Sequence, residues 1–152
     1  MSEEFRSNQG ISMTREEIDD FLRTQEYAIL ALADQNRAYA VPVCFGYDGE
    51  DIYLYLIRFG ESSEKLSFRE RTEQACLTTF KVDSKQRWRS VVVRGPLQEI
   101  RQEKKRNVEK ILMNSPWFST ILPPKDPIRE VRQFVLAIEE LSGRKGEEFG
   151  TS

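Results

Sequence analysis

The chain contains no histidine. That absence excludes Ser-His-Asp and Cys-His catalytic pairs, histidine metal ligation, and any imidazole titrating near neutrality. Cysteine is scarce too: Cys44 and Cys76 are the only two, too few to build a structural zinc site alone. Each lies in an apolar, strand-like run, so buried reduced thiols are expected rather than a disulfide. No apolar run approaches the roughly 20 residues of a membrane helix, and no signal-peptide pattern opens the chain. A soluble, cytoplasmic protein with no membrane partner is expected. Neither sign of charge dominates: the formal net charge is −2, whereas a nucleic-acid binder needs a clear basic excess. Chemistry must then be carried by a bound cofactor, or by carboxylate, lysine, arginine, tyrosine or serine groups, with no metal site.

What is present suits one domain. The 152 residues are 39% hydrophobic and include nine Phe, five Tyr and two Trp, enough to build a core. Residues 1–13 are polar and aperiodic and read as a flexible arm. Thr14 and Glu17 have capping-box spacing, and Ile18, Phe21 and Leu22 give the apolar stripe of a short helix to about Arg23. Strands are expected at Tyr27–Ala33, Ala38–Phe45, Asp51–Arg58, Ala75–Val82, Trp88–Ile100 and Val131–Leu141. An Asp48-Gly49 hairpin signal joins the second and third. Short helices are expected over Ser63–Arg71 and about Gln102–Met113, and Pro116, Pro123, Pro124 and Pro127 mark an irregular stretch carrying Trp117. Residues 14–146 form the domain and 147–152 a flexible tail. Six strands with hairpin-length links and three short helices indicate a mainly β fold, an antiparallel β-barrel with helices plugging its ends. The strands do not alternate with helices as a dinucleotide-binding fold requires.

Three features can carry chemistry. On the second strand, Tyr39, Val41, Val43 and Phe45 form a core face, while Ala38, Ala40, Pro42 and Cys44 are small and leave room for a flat ring. Pro42 lacks a donor and prefers an edge or bulge. The plain alternative is a strand packed closely under a helix. The loop Gly60-Glu61-Ser62-Ser63 with Lys65 offers a helix N-terminus, hydroxyls and a cation to an anion. A capped helix with a surface lysine is the plain alternative there. In Trp88-Arg89-Ser90-Val91-Val92-Val93-Arg94-Gly95 the two arginines leave opposite faces, suited either to ion pairs or to clamping a phosphate.

These segments, in order, resemble those of a known family. Ala38–Gly49 carries the V-P-V…G-Y-D-G signature of the pyridoxamine 5′-phosphate oxidase-like split β-barrel proteins, most nearly their nitroimidazole-reductase-like branch. Ile52-Tyr53-Leu54-Tyr55, Ser63-Glu64-Lys65-Leu66, Trp88–Gly95 and Ile138–Arg144 are similar to the family's hairpin strand, S-x-K-L loop, W-x-S-V-V-x-G strand and closing strand. The resemblance implies an antiparallel six-stranded split β-barrel, a homodimer, and flavin mononucleotide (FMN) where two barrels meet. It implies that Val41, Pro42 and Val43 line the isoalloxazine with Leu56 and Ile57 beside it. Ser63 and Lys65 would hold the phosphate, Arg89 and Ser90 would reach the cofactor, and Trp117 is a candidate to cover the ring. The chain departs from the pattern at Tyr55, where the branch usually has histidine, and at Glu64, where a basic residue is expected.

The function that follows is an FMN-dependent oxidoreductase of a small molecule, with NAD(P)H as electron donor and no catalytic side chain assigned. The alternatives are a non-catalytic flavin or haem carrier or sensor, and a deazaflavin-dependent reductase on the same fold. Haem would have to rely on tyrosine, cysteine or methionine.

Overall fold

The computed structural model describes residues 10–59, 64–100 and 128–149, with side chains described except at 55–59, 64–66 and 128–131. Helix 102–113, the proline-marked stretch with Trp117, and Ser63 lie outside the described residues. In chain order the elements are β1 (Ile11–Ser12), α1 (Arg15–Thr24), β2 (Tyr27–Asp34), β3 (Arg37–Tyr47), β4 (Asp51–Phe59), α2 (Glu64–Arg71), β5 (Ala75–Ser84), β6 (Arg87–Gly95), β7 (Leu97–Glu99), β8 (Ile128–Ala137), β9 (Glu140–Lys145) and a 3-10 turn (Glu147–Phe149).

Every strand pairing is antiparallel, in the order β1-β9-β6-β5-β2-β3-β4-β8-β7. Among the described residues nine strands stand where six were expected, but the class is unchanged: one extra strand is β1 in the expected arm, and the other two share one physical source. The expected strand Trp88–Ile100 breaks at Pro96, and the expected strand Val131–Leu141 breaks after Ala137 and resumes as β9 to Lys145. The two breaks face each other. The Ala137 N–H donates to the Pro96 carbonyl at 3.1 Å, and the Glu139 N–H donates to the Arg94 carbonyl at 2.9 Å. Two long strands therefore bend together: β6 pairs with β9 on one side of the corner and β7 with β8 on the other. A Cβ on Gly95 would lie 1.7 Å from the Ala137 carbonyl oxygen, so this corner requires glycine.

The remaining links follow local chemistry. In the β3–β4 hairpin Asp48 Oδ1 accepts from the N–H groups of Glu50 and Asp51, both at 2.8 Å, and Gly49 takes a φ of +97°, as an Asp-Gly turn demands. The capping box of α1 is formed: Glu17 N–H donates to Thr14 Oγ1, and Thr14 N–H donates to Glu17 Oε1. Two segments outside the expected domain are ordered against it. Ile11 and Ser12, within the expected arm, pair with Lys145 and Arg144. Glu147–Phe149, within the expected tail, forms the 3-10 turn, held by the Glu148 N–H donating to the Gln86 carbonyl.

The core fills the barrel with alternate strand residues: Ala28, Leu30 and Leu32 of β2, Val43 and Phe45 of β3, Ile52 and Leu54 of β4, Leu77, Val91, Val93, Phe134 and Leu136. Helix α1 plugs one end with Ile18, Phe21 and Leu22. Helix α2 lies toward the other end of β3, where Phe68 stacks on Tyr39 at 5.3 Å between centroids. Replacing Gly95 by alanine forces its new methyl against a backbone carbonyl that cannot rotate away. A fall in Tm on the order of 10 °C is expected in a thermal melt followed by circular dichroism; an unchanged melt would mean the corner is not strained by a side chain.

Candidate functional site

Strand alternation that buries Ala28 and Leu30 turns Tyr27 and Ile29 to the outer face of the sheet, where they are 47% and 37% exposed. On β5 the same alternation turns Thr78, Phe80 and Val82 outward, Phe80 and Val82 at 58% and 65% exposure. Strand β3 adds Pro42, whose ladder partner on β2 is Ile29. Among the described residues, β3 meets β4 only over Phe45–Tyr47, so Pro42 has a strand neighbour on one side and its missing N–H costs no ladder bond on the other. Pro42, Tyr27, Ile29, Thr78 and Phe80 line an open cleft of about 230 Å³ together with Gln25, Ala28 and Thr79.

The polar part of the cleft is one hydrogen-bond chain. The Thr79 hydroxyl donates to the Tyr27 carbonyl at 2.8 Å, and the Gln25 amide nitrogen donates to Thr79 Oγ1 at 2.9 Å and to the Phe80 carbonyl at 3.2 Å. Thr79 is fully buried, so its hydroxyl has no water to fall back on and these bonds are the ones that satisfy it.

The structure distributes the expected site residues as follows. Pro42 lines the cleft, whereas Val41 and Val43 face the barrel interior, Val43 in the core and Val41 packed against it. Ser90 is paired with Phe80 on β5 and Arg144 on β9, and so belongs to the cleft side of the sheet. Arg89 has the opposite parity. Its guanidinium stacks over Phe21 at 4.7 Å and Phe149 at 4.6 Å at the α1 end of the barrel, which is packing against aromatic faces. Arg94 faces away from it, as its parity requires, and pairs with Glu140 at 3.9 Å. Leu56 and Ile57 lie in β4 opposite Arg132 and Val131 of β8, and Lys65 is in the first turn of α2; the side chains of these three residues lie outside the described set. Among the described residues no group of three or more metal-ligating side chains occurs, and no helix is long and apolar enough to cross a membrane.

Sequence reasoning missed Gln25, Tyr27, Ile29, Thr78, Thr79 and Phe80. A signal existed for β5: Cys76, Thr78, Phe80 and Val82 make its outer face nearly as apolar as its inner one, unusual where an antiparallel sheet meets water. Gln25 carries no local signal, because its role depends on where a helix end meets β5, whose Thr79 lies 54 residues further along the chain.

With the geometry in place, comparison with known proteins identifies the family. Residues 14–145 match the model of the pyridoxamine 5′-phosphate oxidase family, and the chain belongs to it. An uncharacterized protein of Rhizobium meliloti (strain 1021) is 27% identical over 88 residues, which span 58% of this chain and 56% of that protein. Among solved structures, an FAD-binding protein from Mesorhizobium loti superposes with a TM-score of 0.68 at 18% identity, covering 88% of this chain and 94% of that one. A candidate 5-nitroimidazole antibiotic resistance protein from Bacteroides thetaiotaomicron gives 0.69 at 21% identity, covering 90% and 87%. An FAD and heme binding protein from Mycobacterium smegmatis gives 0.67 at 23% identity, covering 88% and 72%. These likenesses show a shared fold.

Both cysteines are free thiols, as expected, though only Cys44 is fully buried; Cys76 is half-buried. Burial pushes the Cys44 thiol above its ordinary pKa, which lowers its thiolate fraction and its reactivity. With a thiol-specific chromogenic reagent at pH 8, Cys76 is expected to react in the folded protein and Cys44 only after unfolding. Two thiols reacting at one fast rate would contradict this burial.

Proposed function

We propose that this chain is an FMN-dependent oxidoreductase, with the isoalloxazine lying on the outer face of β2, β3 and β5 where two copies of the chain meet. The observation that carries the reading is the cleft itself. Its floor of Pro42 and Ile29 is apolar and its volume, about 230 Å³, falls short of the roughly 300–1,000 Å³ of complete small-molecule sites. Around it Tyr27 and Phe80, with Val82 further along β5, leave large apolar side chains in water in a single copy. A patch of that kind marks an interaction surface, and a second copy placed over it would supply the missing wall. Family membership, and relatives whose descriptions name FAD, support a flavin as the occupant.

A bound flavin supplies the hydride and electron transfer. The chain's own part is to hold the ring and exclude water, with Pro42 and Ile29 beneath it, Phe80 at its edge and Ser90 next to Phe80. In this reading Ser63 and Lys65 hold the phosphate, NAD(P)H is the donor, and a small molecule is the acceptor. Arg89 keeps its place between Phe21 and Phe149 and acts on the site only by fixing the barrel end.

Mass spectrometry of ligand released from the denatured protein is expected to yield FMN; FAD, a deazaflavin or haem in its place would reassign the cofactor. Added FMN should raise Tm, and light scattering should give a species of twice the 17.8 kDa chain. Phe80→Glu should reduce both dimerisation and FMN affinity together. A protein whose Tm ignores FMN and which stays monomeric overturns the proposal, and a bound flavin that NAD(P)H never reduces favours a carrier. Lys65→Ala should weaken FMN binding by about 1.5–3 kcal/mol, the size of a charge-assisted phosphate contact. An unchanged affinity by fluorescence titration would return Lys65 to the protein surface.

A further inference from the structure

Gln25 is the C-cap of α1, its backbone N–H donating to the Phe21 carbonyl at 3.1 Å. Its side chain crosses to β5, and the partners there fix which way the amide faces. The Phe80 carbonyl can only accept, so the atom 3.2 Å from it must be the nitrogen. The Thr79 hydroxyl has already given its proton to the Tyr27 carbonyl, so toward Gln25 it too accepts, at 2.9 Å. Both amide protons are thereby used inside the protein. The amide oxygen, Oε1, is left with no donor among the described residues, on a residue that lines a largely apolar cleft.

An oriented acceptor in an apolar surround selects for a ligand that brings a donor, because a ligand without one leaves the oxygen desolvated and unpaired. We infer that Gln25 is the specificity residue of this cleft, its Oε1 accepting a hydrogen bond from the ring N–H of a planar heterocycle lying on Pro42 and Ile29. The inference rests on the flavin reading above and deepens it. Oxidised isoalloxazine has a single ring N–H, at N3, and that is the group Gln25 takes. The other lining side chains differ from it: Thr79 is saturated by its two partners, and Pro42, Ala28, Ile29 and Phe80 offer carbon. The Thr78 and Tyr27 hydroxyls rotate and can donate as well as accept, so they do not demand a donor from the ligand.

The test compares FMN with 3-methyl-FMN, which lacks the N3 proton, by quenching of flavin fluorescence on the wild-type protein and on Gln25→Leu. The wild-type protein is expected to bind FMN about 10- to 100-fold more tightly than the methylated flavin. Gln25→Leu should bind FMN more weakly and discriminate between the two flavins by less than about threefold. The comparison of ligands on the wild-type protein needs no variant, so a Gln25→Leu protein that fails to fold does not remove the test. Equal affinities on the wild-type protein, or discrimination that persists in Gln25→Leu, overturn the assignment while leaving the flavin reading intact. Absence of binding by either flavin overturns both.

Discussion

The paired bend at Gly95-Pro96 and Ala137–Glu139 is the constraint on which the rest of this structure depends. Two strands change direction at the same place because the backbones touch there, with two N–H···O bonds across the corner and no room for a Cβ at Gly95. The bend lets β6 and β9 belong to one side of the barrel while their continuations β7 and β8 belong to the other. A closed barrel has an inside and an outside, and strand alternation then sorts every residue between them. Val91 and Val93 go in, Ser90 and Val92 go out, and the outer face of β2, β3 and β5 becomes the surface on which the cleft is built.

Closure also explains how a short helix comes to control that surface. One carboxylate, Glu17, accepts the Thr14 N–H to complete the capping box and pairs with the ammonium of Lys145, which is buried. A buried ammonium without its partner would be costly, so the pair fastens α1 to β9. Tyr47 adds a second tie, its hydroxyl donating to Asp19 at 2.6 Å. Arg89 adds a third by stacking on Phe21. With its start and one face secured, α1 ends where Gln25 can reach Thr79 and Phe80. The position of the cleft's polar atom is thus a consequence of helix length and of contacts at the far side of the helix.

Much of this was legible in the chain. Period-two patterning located the strands because each has one buried face; Tyr39, Val41, Val43 and Phe45 are the inward set of β3. The Thr14–Glu17 spacing and the Asp48-Gly49 pair are local signals whose geometry is local too, and both are as expected. The bends were not legible, since Pro96 reads equally well as a strand end or as a corner, and only its partner across the sheet decides. Arg89 shows the same limit. Its parity was readable, but parity says which face a side chain leaves from, and not that Phe21 and Phe149 occupy that face. Gln25 was beyond reach for the same reason: an amide at a helix end becomes a binding group only through a threonine 54 positions later.

The missing histidine bears on the cleft in a specific way. A ring N–H can be met by an imidazole or by an amide, and the two differ in what pH does to them. An imidazole changes from acceptor to donor near neutrality, whereas the Gln25 oxygen remains an acceptor throughout. The other groups around the cleft behave alike: the threonine hydroxyls do not titrate, partial desolvation and then Glu26 move the Tyr27 phenol upward, and burial moves the thiol of nearby Cys44 upward. Every group that lines the cleft is neutral across the physiological range, the Glu26 carboxylate standing behind Tyr27, so the polarity the lining offers to a ligand is set chiefly by hydrogen-bond geometry. Any proton needed by chemistry at this surface must then come from the ligand, the substrate or water. In a chain without imidazole, that leaves the protein to determine which ring binds and in which orientation.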